Sequence, residues 1–152
     1  MEIRDIRAHE IEQARHLLVA NGWAHRVGDA GQFRHLLDHS QRTAVAVVDD
    51  PIVGFARALC DGVSNGYLSM LVVAPAHRRR GVGRLLVQHI IGSDPDITWV
   101  VRADREGAAA FFAKLGFRVS SVAMERSRAT RAVPDRSPSG RDLAAAAADR
   151  PQ

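Results

Sequence analysis

The chain has little cysteine, no long apolar run and no cluster of metal ligands. Its 152 residues contain one cysteine, Cys60, which excludes an intrachain disulfide and a zinc site built on a cysteine cluster. His35 and His39 lie four residues apart but lack a third ligand, so we expect no metal site. No apolar run approaches the roughly 20 residues that cross a bilayer, and residues 1–5 do not resemble a signal peptide. These absences predict a cytoplasmic protein that does not enter a membrane.

Aromatic residues are scarce as well, at 5% of the chain, while the formal net charge is +4. Arginines concentrate at residues 78–84 and again at residues 118–141. Clustered arginines can attract nucleic acid through its phosphates. However, no RNA- or DNA-binding motif accompanies these clusters, and few aromatic side chains are present. We therefore expect no nucleic-acid partner.

Hydrophobic residues make up 46% of the sequence, which is enough for the core of one domain. Some apolar residues alternate or run together as in strands, and others recur at helical spacing. Asp49-Asp50-Pro51 predicts a hairpin turn, and Asp29 predicts the start of a helix. The pattern indicates a mixed sheet with helices on both faces. The predicted strands cover residues 2–7, 43–48, 52–59, 67–73, 97–101 and 117–125, and the predicted helices begin near residues 11, 29, 82 and 104.

The composition changes beyond Arg128. Prolines, serines and a glycine at positions 134–140, followed by an alanine tract at 144–148, leave few large apolar residues to bury. We therefore expect residues 1–128 to form the folded domain and residues 129–152 to form a disordered tail.

The most informative segment joins an apolar strand to an amphipathic helix through a basic turn. Residues 71–84 read Leu-Val-Val-Ala-Pro-Ala-His-Arg-Arg-Arg-Gly-Val-Gly-Arg. Gly81 and Gly83 allow a ligand to approach the backbone, and the first amides of a helix attract anions. This segment predicts a site for a diphosphate. Dinucleotide and P-loop motifs do not fit, because Leu86 stands at the third glycine position and no Gly-Lys-Ser/Thr follows.

The order Arg78-x-x-Gly81-x-Gly83 resembles the acetyl-coenzyme A signature of the GCN5-related N-acetyltransferase (GNAT) family. Residues 108–117 resemble the second signature of that family, a helix that ends in Leu-Gly-Phe before a final long strand, and both lie within residues 68–118. The resemblance implies the acyl-CoA N-acyltransferase-like fold, an α/β fold whose central, mostly antiparallel twisted sheet has helices on both faces. It also implies that acetyl-coenzyme A (acetyl-CoA) is the acetyl donor.

The resemblance further implies which residues bind the donor. The strand before the basic turn would pair its backbone with the pantetheine arm and polarise the thioester carbonyl. The usual acid for the departing thiolate is a tyrosine four residues before the glycine of Leu-Gly-Phe, but here that position is Phe112, which cannot donate a proton. We expect Phe112 to pack near the thiol, and the thiolate to leave unaided or to take a proton from water. The implied donor-binding residues are Leu71, Val72, Val73, Arg78, Arg79, Arg80, Gly81, Val82, Gly83, Arg84 and Phe112.

The acceptor side offers alternatives, because the usual carboxylate base of the family is absent. Tyr67 and Ser69 share one face of the strand before the basic turn, and Tyr67 could relay a proton, hold the acceptor or simply pack against other aromatics. Arg57 lies among apolar residues, where it could pair with an acid such as Asp61, hold an acceptor carboxylate or extend to solvent. Trp23 lies in a predicted loop that shapes the acceptor mouth in the family, or it packs beneath that loop.

The sequence thus predicts a cytoplasmic N-acetyltransferase that moves acetyl from acetyl-CoA directly to a primary amine of a small molecule or peptide. The alternative is a non-catalytic acyl-CoA-binding sensor or regulatory module, which Phe112 and the missing base favour. The sequence leaves open the identity of the acceptor and a homodimer with exchanged strands.

Overall fold

A five-stranded sheet forms the centre of the structure, a computed structural model that describes residues 1–128. The strands follow chain order across the sheet, and every neighbouring pair is antiparallel except the last, which is parallel. The predicted mixed α/β fold with a mostly antiparallel sheet is confirmed. The strands are β1 (Glu2–Arg4), β2 (Arg42–Val47), β3 (Ile52–Cys60), β4 (Asn65–Val73) and β5 (Thr98–Val101).

Helices cover both faces of this sheet through two separate apolar clusters. On one face, Leu18 and Phe33 pack against Phe55 and Val72 of the sheet. On the other face the sheet presents mainly alanines, against which the later helices pack. Within residues 1–128, no helix has the length and apolar character needed to cross a membrane. The helices are α1 (Ile11–Leu18), α2 (Ala24–Val27), α3 (Ala30–Asp38), α4 (Val82–Ile91) and α5 (Ala108–Ala113).

The helix starts that have a clear local signal agree with the prediction. The Asp29 carboxylate accepts a hydrogen bond from the Gln32 amide at 2.8 Å, and Gln32 Oε1 accepts one from the Asp29 amide at 3.0 Å. This reciprocal arrangement is a capping box, and it begins α3 as predicted. The predicted helix near residue 104 begins later, because Gly107 has a left-handed backbone, with φ of +75°, just before Ala108.

The predicted strand at residues 117–125 is wrong, since none of these residues is in a strand. A strand needs a hydrogen-bonded neighbour, but here Ser120 Oγ accepts hydrogen bonds from the amides of Val122 and Ala123, which form a local turn. Met1–Arg118 form one compact unit, and a second unit begins at Val119. The predicted tail, residues 129–152, lies outside the described residues.

Gly54 in β3 allows α4 to pack directly on the sheet. A Cβ atom at this position would lie 2.8 Å from Leu86 Cδ1 and 3.2 Å from Val82 Cγ1, both in α4, and 3.2 Å from Ala46 Cβ. Gly54 is also the register partner of Val73, the last residue of β4. The first turn of α4 is therefore held beside the end of β4.

Glu10 makes a buried ion pair that joins β1 to the first helix. Its carboxylate accepts hydrogen bonds from Arg4 Nη1 at 2.8 Å and Nη2 at 2.6 Å, and from the Arg7 amide at 2.8 Å. The bonds from Arg4 lower the pKa of Glu10 from its ordinary value of 4.5 to about 2. The carboxylate is therefore charged in the folded protein across the neutral range.

We predict that Gly54→Ala lowers the free energy of unfolding by about 1–3 kcal/mol, because the added methyl group must displace α4. Urea unfolding measures the change. Gly31→Ala is the matched control, since Gly31 lies inside α3 with only an ordinary contact of 3.4 Å to Asp29 Oδ1. The control should be neutral or slightly stabilising. Equal stability of Gly54→Ala and the wild type would show that α4 does not depend on this close approach.

We also predict that Glu10→Gln lowers the free energy of unfolding at neutral pH by about 1–3 kcal/mol, through the loss of charge-assisted hydrogen bonds. Because the pKa of Glu10 is lower in the folded state, its contribution is complete above pH 4.5 and is lost as the pH falls towards 2. Unfolding curves at neutral pH and in acid should therefore show the gap between variant and wild type closing. Glu12→Gln, on the more exposed surface, should cost much less, because solvent screens its ion pair. A gap that stays constant into acid would contradict the assignment.

Candidate functional site

The turn between β4 and α4 exposes the first amides of the helix, and we call residues 79–84 the cradle. Arg79 has φ of +62° and Gly81 has φ of +82°, so two left-handed residues turn the chain into α4. Among residues 1–128, no side chain caps this helix start. The amides of the first turn have no acceptor within the helix itself. They therefore lie where an anion could receive their hydrogen bonds.

The two glycines of the cradle have different surroundings. A Cβ atom on Gly81 would have no heavy atom of the described residues within 4 Å beyond its chain neighbours, so this side of the turn is open to a ligand. A Cβ atom on Gly83 would lie 3.3 Å from the Phe111 ring and 3.7 Å from Val73 Cγ2. Gly83 thus allows Phe111 of α5 to pack against α4, a contact that sequence reasoning missed.

The arginines of this segment also divide into two groups. Arg78 Nε donates to the Val73 carbonyl at 2.9 Å, and its Nη2 donates to Asn21 Oδ1 at 2.8 Å. Its side chain therefore ties the end of β4 to the irregular turn Val19–Trp23 that follows α1. Three further arginines are exposed and have no carboxylate partner among residues 1–128; these are Arg79, Arg80 and Arg84. Their charge reinforces the attraction of the amides for an anion.

The strand β4 separates from β5 before it reaches the cradle. Parallel pairing with β5 ends at Leu68 and Val101, so within the described part of the chain the residues of β4 from Ser69 to Val73 have no partner on that edge, and Met70 to Val73 pair with β3 on the other edge. The register with β3 also shifts here: Arg57 pairs with Met70 and Ala58 pairs with Leu68, so Ser69 between them has no partner in β3. Backbone groups on the edge of β4 away from β3 are therefore available to a ligand that lies along it, and the implied residues Leu71, Val72 and Val73 are in this stretch.

A small cleft of about 80 Å³ lies beside this separation. Its walls come from the segment at the start of α2, from β4 and from the loop that follows β5. The structure thus brings together Trp23, Tyr67 and Ser69, which sequence reasoning singled out separately. The lining residues are Trp23, His25, Arg26, Tyr67, Ser69, Met70, Arg102, Asp104 and Arg105. The segment of Trp23 was predicted as a loop, whereas α2 starts at Ala24 directly after it.

Trp23 and Arg105 hold two walls of the cleft together. The Arg105 guanidinium lies 4.2 Å from the centre of the Trp23 ring, a cation–π contact. Arg105 Nη1 also donates to the Asn21 carbonyl at 3.1 Å, and Nη2 donates to the Gly22 carbonyl at 3.3 Å. Sequence reasoning missed Arg105. The available signal was its position after a strand parallel to β4, because ligands collect at the carboxyl ends of parallel strands.

Arg57 is buried behind the cleft. It is 8% exposed, and it donates from Nε to Ser40 Oγ at 2.8 Å and from Nη1 to Ser69 Oγ at 3.2 Å. Burial lowers the pKa of its guanidinium, because the charged form loses its hydration. The suggested pairing with Asp61 is wrong. That carboxylate instead accepts hydrogen bonds from the amides of its own turn, residues 63–65, which lower the pKa of Asp61.

Phe112 lies in the apolar cluster that packs α4 against the sheet. It is 7% exposed, and its ring makes edge contacts with Phe111 and Phe117 at centroid distances of 5.0 and 5.4 Å. The three rings form an apolar cluster with no hydroxyl group. Tyr67 is half-buried on β4, opposite Val100 of β5, and it is among the residues that line the cleft.

Comparison with known proteins identifies acetyltransferases as relatives of this chain. Residues 39–119 match the family model described as the acetyltransferase (GNAT) domain. Peptidyl-lysine N-acetyltransferase YjaB of Escherichia coli is 36% identical over 58 residues, which cover 38% of this chain and 40% of that relative. The PanD regulatory factor of Salmonella typhimurium is 32% identical over 95 residues, or 59% of this chain and 74% of that relative. The match therefore spans well under two thirds of the first relative.

The solved structures agree on the fold. A GNAT family acetyltransferase from Streptococcus pneumoniae superposes with a TM-score of 0.67 at 24% identity, and the alignment covers 86% of this chain and 97% of the other. At this identity the similarity establishes the fold alone.

Proposed function

Because the chain belongs to the GNAT acetyltransferase family, we propose that it is an N-acetyltransferase that moves acetyl from acetyl-CoA directly to a primary amine of a small molecule or peptide. The observation that carries this proposal is the order of sites along β4. Tyr67 and Ser69 line the cleft, the unpaired edge from Ser69 to Val73 follows, and the cradle comes next. At about 3.3 Å per residue, this edge spans about 13 Å, which suits an extended arm between a phosphate site and a reaction site.

The residues of the cradle fit a phosphate-rich donor. The backbone amides of Val82, Gly83 and Arg84 would bind its diphosphate, and the exposed arginines 79, 80 and 84 would neutralise the charge. The open space at Gly81 supports this assignment, because a phosphate oxygen could approach there without meeting a side chain. When bound, the donor supplies an acetyl thioester, an acyl group already activated for transfer.

The protein would orient and polarise the reacting groups. The amine must be neutral, since its nitrogen lone pair forms the bond to the acetyl carbon while the carbon–sulfur bond breaks and sulfur leaves as a thiolate. Amides on the open edge of Leu71 to Val73 would stabilise the negative charge on the carbonyl oxygen. The nitrogen loses one proton, which Tyr67 could relay to water, and the thiolate would take one from water because Phe112 has none to give.

The alternative function is a non-catalytic acyl-CoA sensor. Phe112 favours it because a proton donor is missing, and so does the similarity to a relative named as a regulatory factor, 74% of which this chain covers. Both functions require the cradle, so donor binding does not separate them. Release of coenzyme A thiol in the presence of a panel of amines does, because a sensor would bind the donor without turnover.

We predict that Gly81→Ala weakens coenzyme A binding by about 10-fold or more, because its methyl group would occupy the open side of the cradle. Calorimetry measures the affinity. Gly62→Ala is the matched control: Gly62 has φ of +73° and equally open surroundings, but it lies in the turn between β3 and β4. Both variants should lose similar stability from left-handed strain, whereas the control should keep its affinity. Unchanged affinity in a folded Gly81→Ala variant would refute the cradle.

We also predict that Tyr67→Phe lowers kcat by about 10-fold or more while coenzyme A affinity stays within about 2-fold, because only proton transfer is affected. Phe112→Tyr should keep or modestly raise the rate, provided that its thermal stability confirms folding. Steady-state kinetics over a range of pH measure both. If Tyr67→Phe leaves the rate and its pH profile intact, Tyr67 is a packing residue and water handles the proton.

A further inference from the structure

The walls of the cleft carry an excess of positive charge that comes from separate parts of the fold. Arg26 belongs to α2, Arg105 to the loop after β5, and Arg57 to β3, directly behind Ser69. Asp104 is the single acid among the lining residues, and it lies 3.8 Å from Arg102, whose charge it offsets. Arginines that are simply exposed to solvent can be clustered in one segment, as they are at residues 78–84. Here Arg26 and Arg105, from different elements, line one concave site, and Arg57 lies buried behind it against Ser69.

These three arginines have no carboxylate partner among residues 1–128. Arg105 donates to backbone carbonyls and stacks on Trp23, and Arg57 donates to two serine hydroxyls. Such bonds satisfy N–H donors but leave the net charge in place. A buried guanidinium without a counter-ion is costly, so a negative ligand nearby would stabilise it.

Ser69 links the buried Arg57 guanidinium to the cleft through a hydrogen bond. Its oxygen accepts a hydrogen bond from Arg57 Nη1 at 3.2 Å, and the residue also lines the cleft. A hydroxyl has one donor and two acceptor positions, and the bond from Arg57 occupies an acceptor. The Ser69 O–H is therefore left to donate, and polarisation by a cation makes it a stronger donor. A donor of this kind suits an anionic oxygen.

We propose that the acceptor is a small amine that bears an anionic oxygen group, a carboxylate or a phosphate, bound by Arg26, Arg105 and the Ser69 hydroxyl. This inference rests on the proposed acetyl transfer, since it names the substrate class of the same site. The planar fork of arginine matches carboxylate and phosphate oxygens. The cleft is small, which favours a compact acceptor, and its positive walls disfavour polyamines and other cationic acceptors. Arg57, which acts through Ser69, is a positioning residue.

The test compares acceptors of similar length and different charge with the full-length protein and acetyl-CoA. γ-Aminobutyrate, its neutral amide and putrescine form one series, and ethanolamine phosphate with ethanolamine forms a second that distinguishes phosphate from carboxylate. We expect kcat/KM for an anionic acceptor to exceed that of its neutral analogue by about 10-fold or more, and the cation to be poorest. Equal rates, or a preference for the neutral or cationic amine, would overturn the inference while leaving acetyl transfer established.

Variants separate charge recognition from folding. Arg26→Gln should raise KM for the anionic acceptor by about 10-fold, with little change for the neutral amide. Arg57→Lys keeps the charge and should retain part of the preference, whereas Arg57→Gln should lose it. Arg34→Gln, which removes one exposed arginine from α3 outside the cleft, is the matched control and should change neither value. Equal effects of Arg26→Gln on both acceptors would contradict a role in charge recognition.

A binding measurement keeps the inference testable if no amine turns over. Calorimetry on the protein loaded with coenzyme A would compare N-acetyl-γ-aminobutyrate with its neutral amide and with N-acetylethanolamine phosphate. Binding of an anionic probe alone, weakened in Arg26→Gln and unchanged in Arg34→Gln, would support the anion site even though the proposed transfer had failed. Binding by neither anionic probe, or equal binding of the neutral amide, would overturn the small anionic acceptor.

Discussion

The close approach of α4 to the sheet at Gly54 fixes the geometry on which the site depends. Gly54 pairs with Val73 at the end of β4, and it faces Val82 and Leu86 of α4 where any side chain would collide. The cradle lies between these two contacts, so its amides take their position from backbone packing. Phe111 supports the same helix through a second close contact, because it packs on Gly83. An anion site made of backbone needs this rigidity, since amide groups cannot adjust as side chains do.

Much of the fold could be predicted because its signals are local. Asp29 and Gln32 form a capping box within four residues, and the alternating burial of β4 repeats the alternation in the sequence. Residues 117–125 show the limit of this reasoning. Alternation tells which side chains would share a face, but a strand exists only with a neighbour, and the serine hydroxyl in this segment satisfies nearby amides instead.

The cradle and the cleft also differ in how well the sequence predicts them. The cradle is one continuous segment whose glycines and helix start are adjacent, so the sequence identifies it. The cleft is assembled from α2, β4 and the loop after β5, and neither Arg26 nor Arg105 stands out in its own segment. A pairing of Arg57 with an acid such as Asp61 was one of three alternatives that the sequence left open. The amides of the turn at residues 63–65 already occupy that carboxylate, so the buried arginine turns to Ser40 and Ser69.

Phe112 affects both the packing around the cradle and the proposed acetyl transfer. Its ring packs between Phe111 and Phe117, and Phe111 in turn supports the cradle through Gly83. Phe112, at the position where the family resemblance implies a proton donor, here contributes to the packing that supports the proposed donor site. The chemical cost is bounded, because a thiolate is a much weaker base than an alkoxide and leaves more readily without a proton, and acid catalysis contributes about 10²–10⁴-fold where a leaving group requires it. A slow transferase with a rigid cradle is therefore physically consistent, and the rate of thiol release, rather than affinity for coenzyme A, distinguishes it from a sensor.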